Sequence, residues 1–197
     1  MKVLPTGDYL VNVYNQDAAA SVEPVEAYAI VTKDGVVRSY LPIGAVIAGE
    51  YVVIGNEIYD YDMNSVFDLS DVDDDENAYQ YVTSVGGKII ISQEVTKIDR
   101  DSFLPTTVKI YYSLAKGENG IEKNLWIEGA EHVATTDDYV IMIDADNGKY
   151  TLYNAELEHI LTTQGEMTIY ACEDGKYIVS TTVTTIEGSH QILYVVK

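Results

Sequence analysis

Apolar and polar residues alternate in short runs along this chain, and the runs recur in a fixed order. β-Branched residues and tyrosine dominate the apolar positions. No long stretch keeps the 3.6-residue apolar period of an amphipathic helix. The pattern therefore predicts an all-β fold made of short strands separated by turn residues.

One strand opens in the same way five times. In each opening, glycine or charged residues come directly before an apolar run that usually begins with tyrosine. The openings are Gly7-Asp8-Tyr9-Leu10-Val11, Gly49-Glu50-Tyr51-Val52-Val53, Gly86-Gly87-Lys88-Ile89-Ile90, Asp137-Asp138-Tyr139-Val140-Ile141 and Gly175-Lys176-Tyr177-Ile178-Val179. A recurrence of roughly 40 residues is typical of propellers and solenoids.

Each opening predicts the second strand, b, of a repeat unit. A small apolar residue four positions earlier predicts strand a: Val3, Ala45, Val82, Val133 and Ala171. An apolar residue followed by tyrosine marks strand c: Ala27-Tyr28, Ile58-Tyr59, Ile110-Tyr111, Leu152-Tyr153 and Leu193-Tyr194. Strand d follows in the first four units, at Val36-Val37, Val66-Phe67, Leu125-Trp126 and Ile160-Leu161. The fifth unit is expected to have three strands.

With four-stranded units of this length, the chain resembles the β-propeller superfamily, and the repeat covers nearly all of it. It lacks the Trp-Asp pair of WD40 repeats, since Trp126 is its only tryptophan. The resemblance implies one five-bladed domain over residues 1–197 and no particular activity. A rolled β-sandwich and a fragment of a larger propeller are the alternatives.

Charge narrows the choice of partner. The chain has 32 acidic and 12 basic residues and a net charge of −20, which repels nucleic acid and anionic membrane surfaces. No apolar run is long enough to span a bilayer, so membrane insertion is not expected. Basic proteins, cations and neutral glycans remain as partners.

The first residues and the single cysteine give little information about the cellular compartment. The start lacks the apolar segment of a signal peptide. Tyrosine-rich, lysine-poor acidic β-repeats nevertheless resemble those of secreted or cell-surface bacterial proteins, which implies an extracellular location. The single cysteine, Cys172, excludes an internal disulfide and is interpreted as a small apolar filler.

The lengths of the connections favour one face of the predicted repeat. In a four-stranded meander, the a–b and c–d turns lie at one end, and the b–c and d–a connections lie at the other. Most long connections belong to the second end: Asn15–Pro24, Ser70–Asn77, Ser92–Thr107 and Thr181–Ser189. One, Ala115–Glu122, belongs to the first. Because binding sites concentrate in loops on rigid scaffolds, we expect contacts at the long-loop face.

An acidic segment in one of these connections has two interpretations. Asp71, Asp73 and Asp75 alternate as oxygen ligands do in the first half of a calcium loop. However, Glu76 and Val82 stand where an EF-hand needs glycine and a bidentate glutamate. The segment is therefore either a calcium site of another kind or a solvated acidic loop. No other cofactor is indicated.

Contacts with a protein partner are assigned to charged residues on the same face. They are Asp74, Asp99, Arg100 and Asp101, which suit a basic surface. Signals for catalysis are weak, because no enzyme motif occurs and the histidines fall in different units. They are His132, His159 and His190. The sequence thus favours a non-catalytic binding or scaffolding module. The alternative is a calcium-dependent, glycan-binding or glycan-active domain of a surface protein.

Overall fold

The computed structural model describes residues 1–13, 27–70, 78–98, 103–117, 120–172, 176–186 and 188–196. All regular structure in these residues is β, arranged in five antiparallel sheets. None of the described segments contains a helix that could cross a membrane. The predicted all-β fold is confirmed.

The strands follow chain order within every sheet, and the sheets are numbered here in the same order. Sheet 1 contains β1 (Lys2–Val3), β2 (Tyr9–Val13), β3 (Ala27–Val31) and β4 (Val37–Leu41). Sheet 2 contains β5 (Val46–Ala48), β6 (Tyr51–Ile54), β7 (Glu57–Asp60) and β8 (Ser65–Asp68). Sheet 3 contains β9 (Gln80–Val85), β10 (Lys88–Ile98), β11 (Pro105–Gly117) and β12 (Gly120–Glu128). Sheet 4 contains β13 (Ala130–Thr135), β14 (Tyr139–Asp144), β15 (Tyr150–Asn154) and β16 (His159–Thr163). Sheet 5 contains β17 (Met167–Ala171), β18 (Tyr177–Thr185) and β19 (Gly188–Val196).

These sheets confirm the predicted units. Every opening forms the second strand of its sheet, and every apolar–tyrosine pair lies on the third. The fifth sheet has three described strands, as expected. The strands form five separate sheets, whereas a β-sandwich would have two facing layers.

The described residues form four hydrophobic core clusters, each between sheets that are neighbours in the chain. Sheets 1 and 2 bury Leu4, Ile30, Leu41, Val52 and Tyr61. Sheets 2 and 3 bury Val53, Ile58, Leu69, Ile89, Ile91 and Leu114 with their neighbours. Sheets 3 and 4 bury Val85, Ile90, Tyr111, Ala130, Val140 and Met142. Sheets 4 and 5 bury Tyr139, Ile141, Leu152, Met167, Tyr177 and Val179. Among the described residues, no cluster joins sheet 5 to sheet 1, so the row of sheets is not closed.

The two-residue period of the strands explains how a central sheet serves two cores. On β6, Tyr51 and Val53 face sheet 3, whereas Val52 faces sheet 1. Because both faces are buried, the opening reads as a continuous apolar run. Tyrosines meet across one interface, where the rings of Tyr139 and Tyr177 lie edge to face with centroids 5.0 Å apart.

A β-bulge recurs between the third and fourth strands of sheets 1 to 4. The pairing register shifts at Ile30/Val31, Ile58/Tyr59, Tyr111/Tyr112 and Leu152/Tyr153. In two of these sheets, the shift falls within the apolar–tyrosine pair. A bulge bends its strand and increases the local twist. In sheet 5, β18 and β19 pair without a shift from Tyr177↔Val196 to Thr185↔Gly188.

Three of the predicted loops prove to be largely paired strand, so that prediction was wrong. Most of Ser92–Thr107 forms the ends of β10 and β11, which pair as far as Ile98↔Pro105. Thr181–Ser189 contributes to the β18–β19 hairpin, and Ala115–Glu122 to the β11–β12 hairpin. Their buried residues, Ser92, Gln93 and Thr181, are polar, and most of their other side chains are exposed or half-buried. The segments therefore lack the apolar alternation that marks a half-buried strand. Cys172 is exposed and is not a core filler.

Candidate functional site

The predicted site residues lie outside the described residues. This holds for the proposed metal ligands Asp71, Asp73 and Asp75. It also holds for the proposed partner contacts Asp74, Asp99, Arg100 and Asp101. Their predicted roles remain untested, and the candidate surfaces below are built from the described residues.

Contacts between neighbouring sheets bring their first turns to one end of the molecule. A Cβ placed on Gly49 would lie 2.8 Å from the Cα of Gly87, so the turns of sheets 2 and 3 touch. Gly86 donates its backbone N–H to the Asp137 carbonyl of sheet 4 at 3.0 Å. We call this end, made by residues 4–8, 49–50, 86–87 and 136–138, the turn face.

Sheet 5 is joined to the same end by a side chain. The Tyr177 hydroxyl donates to Asp138 Oδ2 at 2.7 Å. This hydrogen bond to a carboxylate raises the pKa of Tyr177, with burial adding to the effect. The second strands of sheets 3 and 5 therefore both begin at the turn face and run away from it.

A cavity of about 370 Å³ opens at the turn face between the first strands of the sheets. Four sheets contribute to its wall, which includes Val3, Ile47, Ser84, Gly86 and Asp137. Among the described residues that line it, Asp137 supplies the one carboxylate.

A second cleft, of about 460 Å³, lies beside the cavity and is more strongly charged. Arg38, Glu50, Asp60 and Lys116 line it. Arg38 is held in place on sheet 1, because its Nε and Nη2 donate to Asp62 at 2.5 and 2.7 Å. Its Nη1 also donates to Asp8 Oδ2 at 3.1 Å. This fork raises the pKa of Arg38 and lowers the pKa of Asp62.

The other charged groups of the cleft also have structural partners. The Asp60 carboxylate accepts hydrogen bonds from the backbone of Asp62 and from both nitrogens of Asn64, which closes the β7–β8 turn. Lys116 Nζ lies 3.8 Å from Glu50 Oε2. Among the described residues of this lining, the carboxylates of Asp60 and Glu50 are therefore engaged in a turn and an ion pair.

The tyrosines of the cleft do not provide a stacking platform for a sugar. Tyr51 and Tyr61 are buried in the cores on either side of sheet 2. Tyr61 donates its hydroxyl to the Gly49 carbonyl at 2.6 Å, and burial raises its pKa to about 12. Its phenol is neutral at physiological pH and serves to position the turn.

The histidines occupy separate places, as the sequence predicted. His132 Nε2 lies 2.7 Å from Thr135 Oγ1, and burial lowers the pKa of this imidazole. His159 Nε2 lies 2.9 Å from Thr162 Oγ1. His190 lies on β19, opposite Val183. Within the described ranges, no three His, Cys, Asp or Glu side chains come together as a metal-binding group.

The opposite end of the molecule carries two β-ribbons. Residues 93–98 pair with 105–110 in sheet 3, and residues 181–185 pair with 188–192 in sheet 5. Both begin on strands that run away from the turn face. We call this end, made by the two ribbons, the ribbon face.

Ion pairs join the first ribbon to β12 and to sheet 4, and apolar side chains lie at its far end. Lys97 pairs with Glu128 at 2.6 Å, and Lys109 pairs with Glu131 of sheet 4 at 2.8 Å. The tip exposes Ile98, Phe103 and Leu104, with 70%, 79% and 63% of their surface accessible. Ile186 is fully exposed at the tip of the second ribbon. Sequence analysis expected contacts at these two segments but did not single out their apolar side chains, because it interpreted the segments as loops and selected charged residues.

Comparisons with known proteins give no family for this chain. No protein-family model, curated protein or solved structure matches it. Arguments about its function therefore depend on the geometry above.

Proposed function

We propose that this chain is a non-catalytic binding module, built as a propeller-like row of five blades, that contacts a protein partner through the ribbon face. The observation that carries this proposal is the exposure of Ile98, Phe103 and Leu104 at the end of a projecting ribbon. Large apolar side chains grouped at the surface are typical of protein interaction sites. Ribbons anchored in packed sheets can present them with little loss of conformational freedom.

The contacts between neighbouring sheets favour a propeller as the architecture of the repeat. Each sheet packs on the next in chain order, and the first turns converge at one end, as the blades of a propeller do. In this interpretation, the strands that begin each sheet are innermost. A fragment of a larger propeller remains the alternative architecture.

The charge of the chain indicates which partners the ribbon face would select. A net charge of −20 attracts basic surfaces and speeds their association. The acidic segments with Asp71, Asp73, Asp74 and Asp75 and with Asp99, Arg100 and Asp101 follow β8 and β10 in the chain. They are proposed to contribute the polar rim around the apolar tip. The partner is accordingly a protein with a basic rim around an apolar patch.

A comparison of two triple variants tests the proposal. Ile98→Ser, Phe103→Ser and Leu104→Ser together remove the apolar tip, whereas Val36→Ser, Val37→Ser and Tyr40→Ser remove exposed apolar side chains from sheet 1. Immobilised wild-type and variant proteins are exposed to the same protein extract, and bound proteins are quantified by mass spectrometry. We expect the control variant to retain the specific partners of the wild type and the tip variant to lose them.

Salt provides a second readout for the same partners. Because salt screens exposed charges, the affinity of the partners for this chain should fall as sodium chloride is added. A tip variant that binds the same proteins as the wild type would contradict the ribbon face as the contact surface. A partner whose affinity does not change with salt would contradict the electrostatic part of the proposal.

A further inference from the structure

We propose that an aromatic corner between sheets 2 and 3 is a binding site for a quaternary ammonium group, and that the protein's own Lys123 occupies it in the absence of ligand. Two tyrosine rings form the aromatic corner: Tyr79, directly before β9, and Tyr112 on β11. Lys123 extends its ammonium group over both rings from β12. The corner uses none of the residues of the ribbon face, so this inference does not depend on the proposed function.

The register of β12 directs Lys123 toward sheet 2. Residues directly opposite each other in an antiparallel pair lie on one face, and Lys123 lies opposite Leu114, which is buried in the core between sheets 2 and 3. Ile121, two residues earlier on β12, packs against the same core. The two-residue period of the strand thus predicts an apolar side chain at position 123. A cation stands there instead, and it lies against aromatic rings.

The geometry of the corner suits a cation. Lys123 Nζ lies 4.5 Å from the ring centroid of Tyr79 and 5.0 Å from that of Tyr112. The two rings meet at an interplanar angle of 84°, with their centroids 5.7 Å apart. A cation within about 6 Å of a ring centroid is attracted by the negative face of the ring, and proteins bind quaternary ammonium groups between such rings. The structure therefore shows an ammonium group held in a site of this kind.

The core of sheets 2 and 3 holds the corner in place. Tyr79 is 8% exposed, and its backbone N–H donates to the Leu69 carbonyl at 2.9 Å. The ring of Phe67 lies edge to face with that of Tyr79, with centroids 6.0 Å apart. The Tyr112 hydroxyl donates to the buried Gln93 Oε1 at 3.4 Å. Because both rings are positioned before a ligand arrives, binding requires little further ordering of the protein.

The contacts of Lys123 indicate which ligand could replace it. Lys123 is exposed, and its ammonium group donates a hydrogen bond to the Tyr79 hydroxyl. A primary ammonium is strongly hydrated and sits on a flexible stem, so this side chain can leave the rings for water. A quaternary ammonium has no N–H to hydrate and gains its attraction from the ring faces. The net charge of −20 also draws cations to the chain. Choline and trimethyllysine carry this group.

Isothermal titration calorimetry with choline tests the site. While Lys123 occupies the corner, the apparent affinity is reduced to the fraction of molecules in which the corner is open. We expect Lys123→Ala to bind choline about tenfold more tightly than the wild type, as loss of one competing cation–π contact predicts. Lys88→Ala is the matched control, because it removes the same charge from sheet 3, where Lys88 Nζ donates to the Ala155 carbonyl at 2.7 Å. It should bind choline as the wild type does.

Two further variants separate a ligand site from a purely structural contact. Tyr79→Phe keeps the ring but removes the acceptor of the Lys123 hydrogen bond, so it should bind choline more tightly than the wild type. Adding Tyr112→Leu to Lys123→Ala removes one wall of the corner and should abolish the gain in affinity. A structural contact alone would change the stability of these variants and leave choline binding unchanged. Circular dichroism establishes that each variant is folded.

A second probe identifies the source of the ammonium group. Tighter binding of free trimethyllysine than of choline would assign the site to a methylated lysine, and the reverse order would assign it to a choline-bearing small molecule. Failure of folded Lys123→Ala to bind either probe would overturn the proposal. So would equal affinities of Lys123→Ala and Lys88→Ala for choline, or binding that Tyr112→Leu does not weaken.

Discussion

Gly49 and Gly87 meet where the turns of sheets 2 and 3 approach each other, and this contact explains a glycine that recurs in the openings. Gly49 has a φ of +63°, which disfavours other residues. Its position also has no room for a side chain, since a Cβ would lie 2.8 Å from backbone. Glycine at position 49 therefore meets two requirements: the positive φ of the turn and the close packing of sheet 2 on sheet 3.

We expect Gly49→Ala to destabilise the protein by about 1–3 kcal/mol more than Gly55→Ala, because overpacking a closed contact costs that much. Gly55 is the matched control, with a φ of +58° and no atom within 4 Å of its added Cβ. Both variants share the strain of a positive φ, so their difference isolates the close approach. Urea denaturation measures the difference in free energy of unfolding between the two variants. Equal losses of stability would show that the two turns can separate without cost.

The pKa of Asp62 gives the Arg38 contact a dependence on pH. Arg38 lowers this pKa below its ordinary value of 3.8. The contribution to stability is therefore present above pH 3.8 and is lost as the pH falls through the lower pKa of the folded state. We expect Arg38→Gln to destabilise the protein at pH 7 and to have a smaller effect near pH 3.

Asp62→Asn is the control for this prediction, because it removes the titrating carboxylate. In that background, Arg38→Gln should lose the part of its pH-dependent effect on the free energy of unfolding that comes from Asp62, while the contact with Asp8 remains. Denaturant titrations at both pH values measure these differences. An effect of Arg38→Gln that does not change with pH would show that the guanidinium stabilises the protein by other contacts.

At the scale of elements, stability depends on the interfaces between neighbouring sheets. We expect Leu152→Ala to cost about 2–5 kcal/mol, since it opens a cavity between sheets 4 and 5. Leu125→Ala on β12 is the control, because Leu125 is 67% exposed and its loss should cost less than about 0.5 kcal/mol. Thermal and chemical unfolding compare the two, and similar losses would mean that this interface contributes little.

β10 shows which parts of an element the sequence could predict. Ile89, Ile90 and Ile91 are buried between sheets on both sides, so their continuous apolar run identified the strand. The second half, from Glu94 to Ile98, was interpreted as a loop. Among the described residues, it pairs with β11 and joins no core cluster, so backbone hydrogen bonds and the Lys97–Glu128 ion pair hold it without an apolar pattern.

The charged cleft was less predictable than the strands. Arg38 contacts Asp62 and Asp8 across 24 and 30 residues of chain, and no local motif identifies such partners. The row of sheets followed from the repeat, whereas the open interface between sheets 1 and 5 did not. A repeat describes each sheet and its neighbour but carries no signal for whether the last sheet reaches the first.

At the scale of the whole molecule, the net charge of −20 should itself reduce stability through self-repulsion. We expect sodium chloride to raise the melting temperature, and calcium chloride to raise it equally at the same ionic strength. This result would agree with a solvated acidic loop. Differential scanning calorimetry of metal-stripped protein measures both effects.

A calcium-specific rise would contradict that expectation. A site filled to about 100 times its dissociation constant adds about 2.7 kcal/mol. For a chain of this length, the melting temperature would rise by about 5–10 °C. Loss of the rise in Asp73→Asn and Asp75→Asn would identify the acidic segment as a metal site, and Asp60→Asn would serve as an acidic control elsewhere in the chain.

The four cores between successive sheets also bear on how the chain folds during synthesis. A ribosome delivers sheet 1 first, and each later sheet emerges next to the surface on which it packs. Domains that fold progressively in this way keep less apolar surface waiting for distant segments. Because each core of the described residues involves two neighbouring sheets, duplication or loss of one repeat would change the interfaces of that repeat and leave the others intact. The arrangement therefore offers evolution a way to lengthen or shorten the protein one sheet at a time.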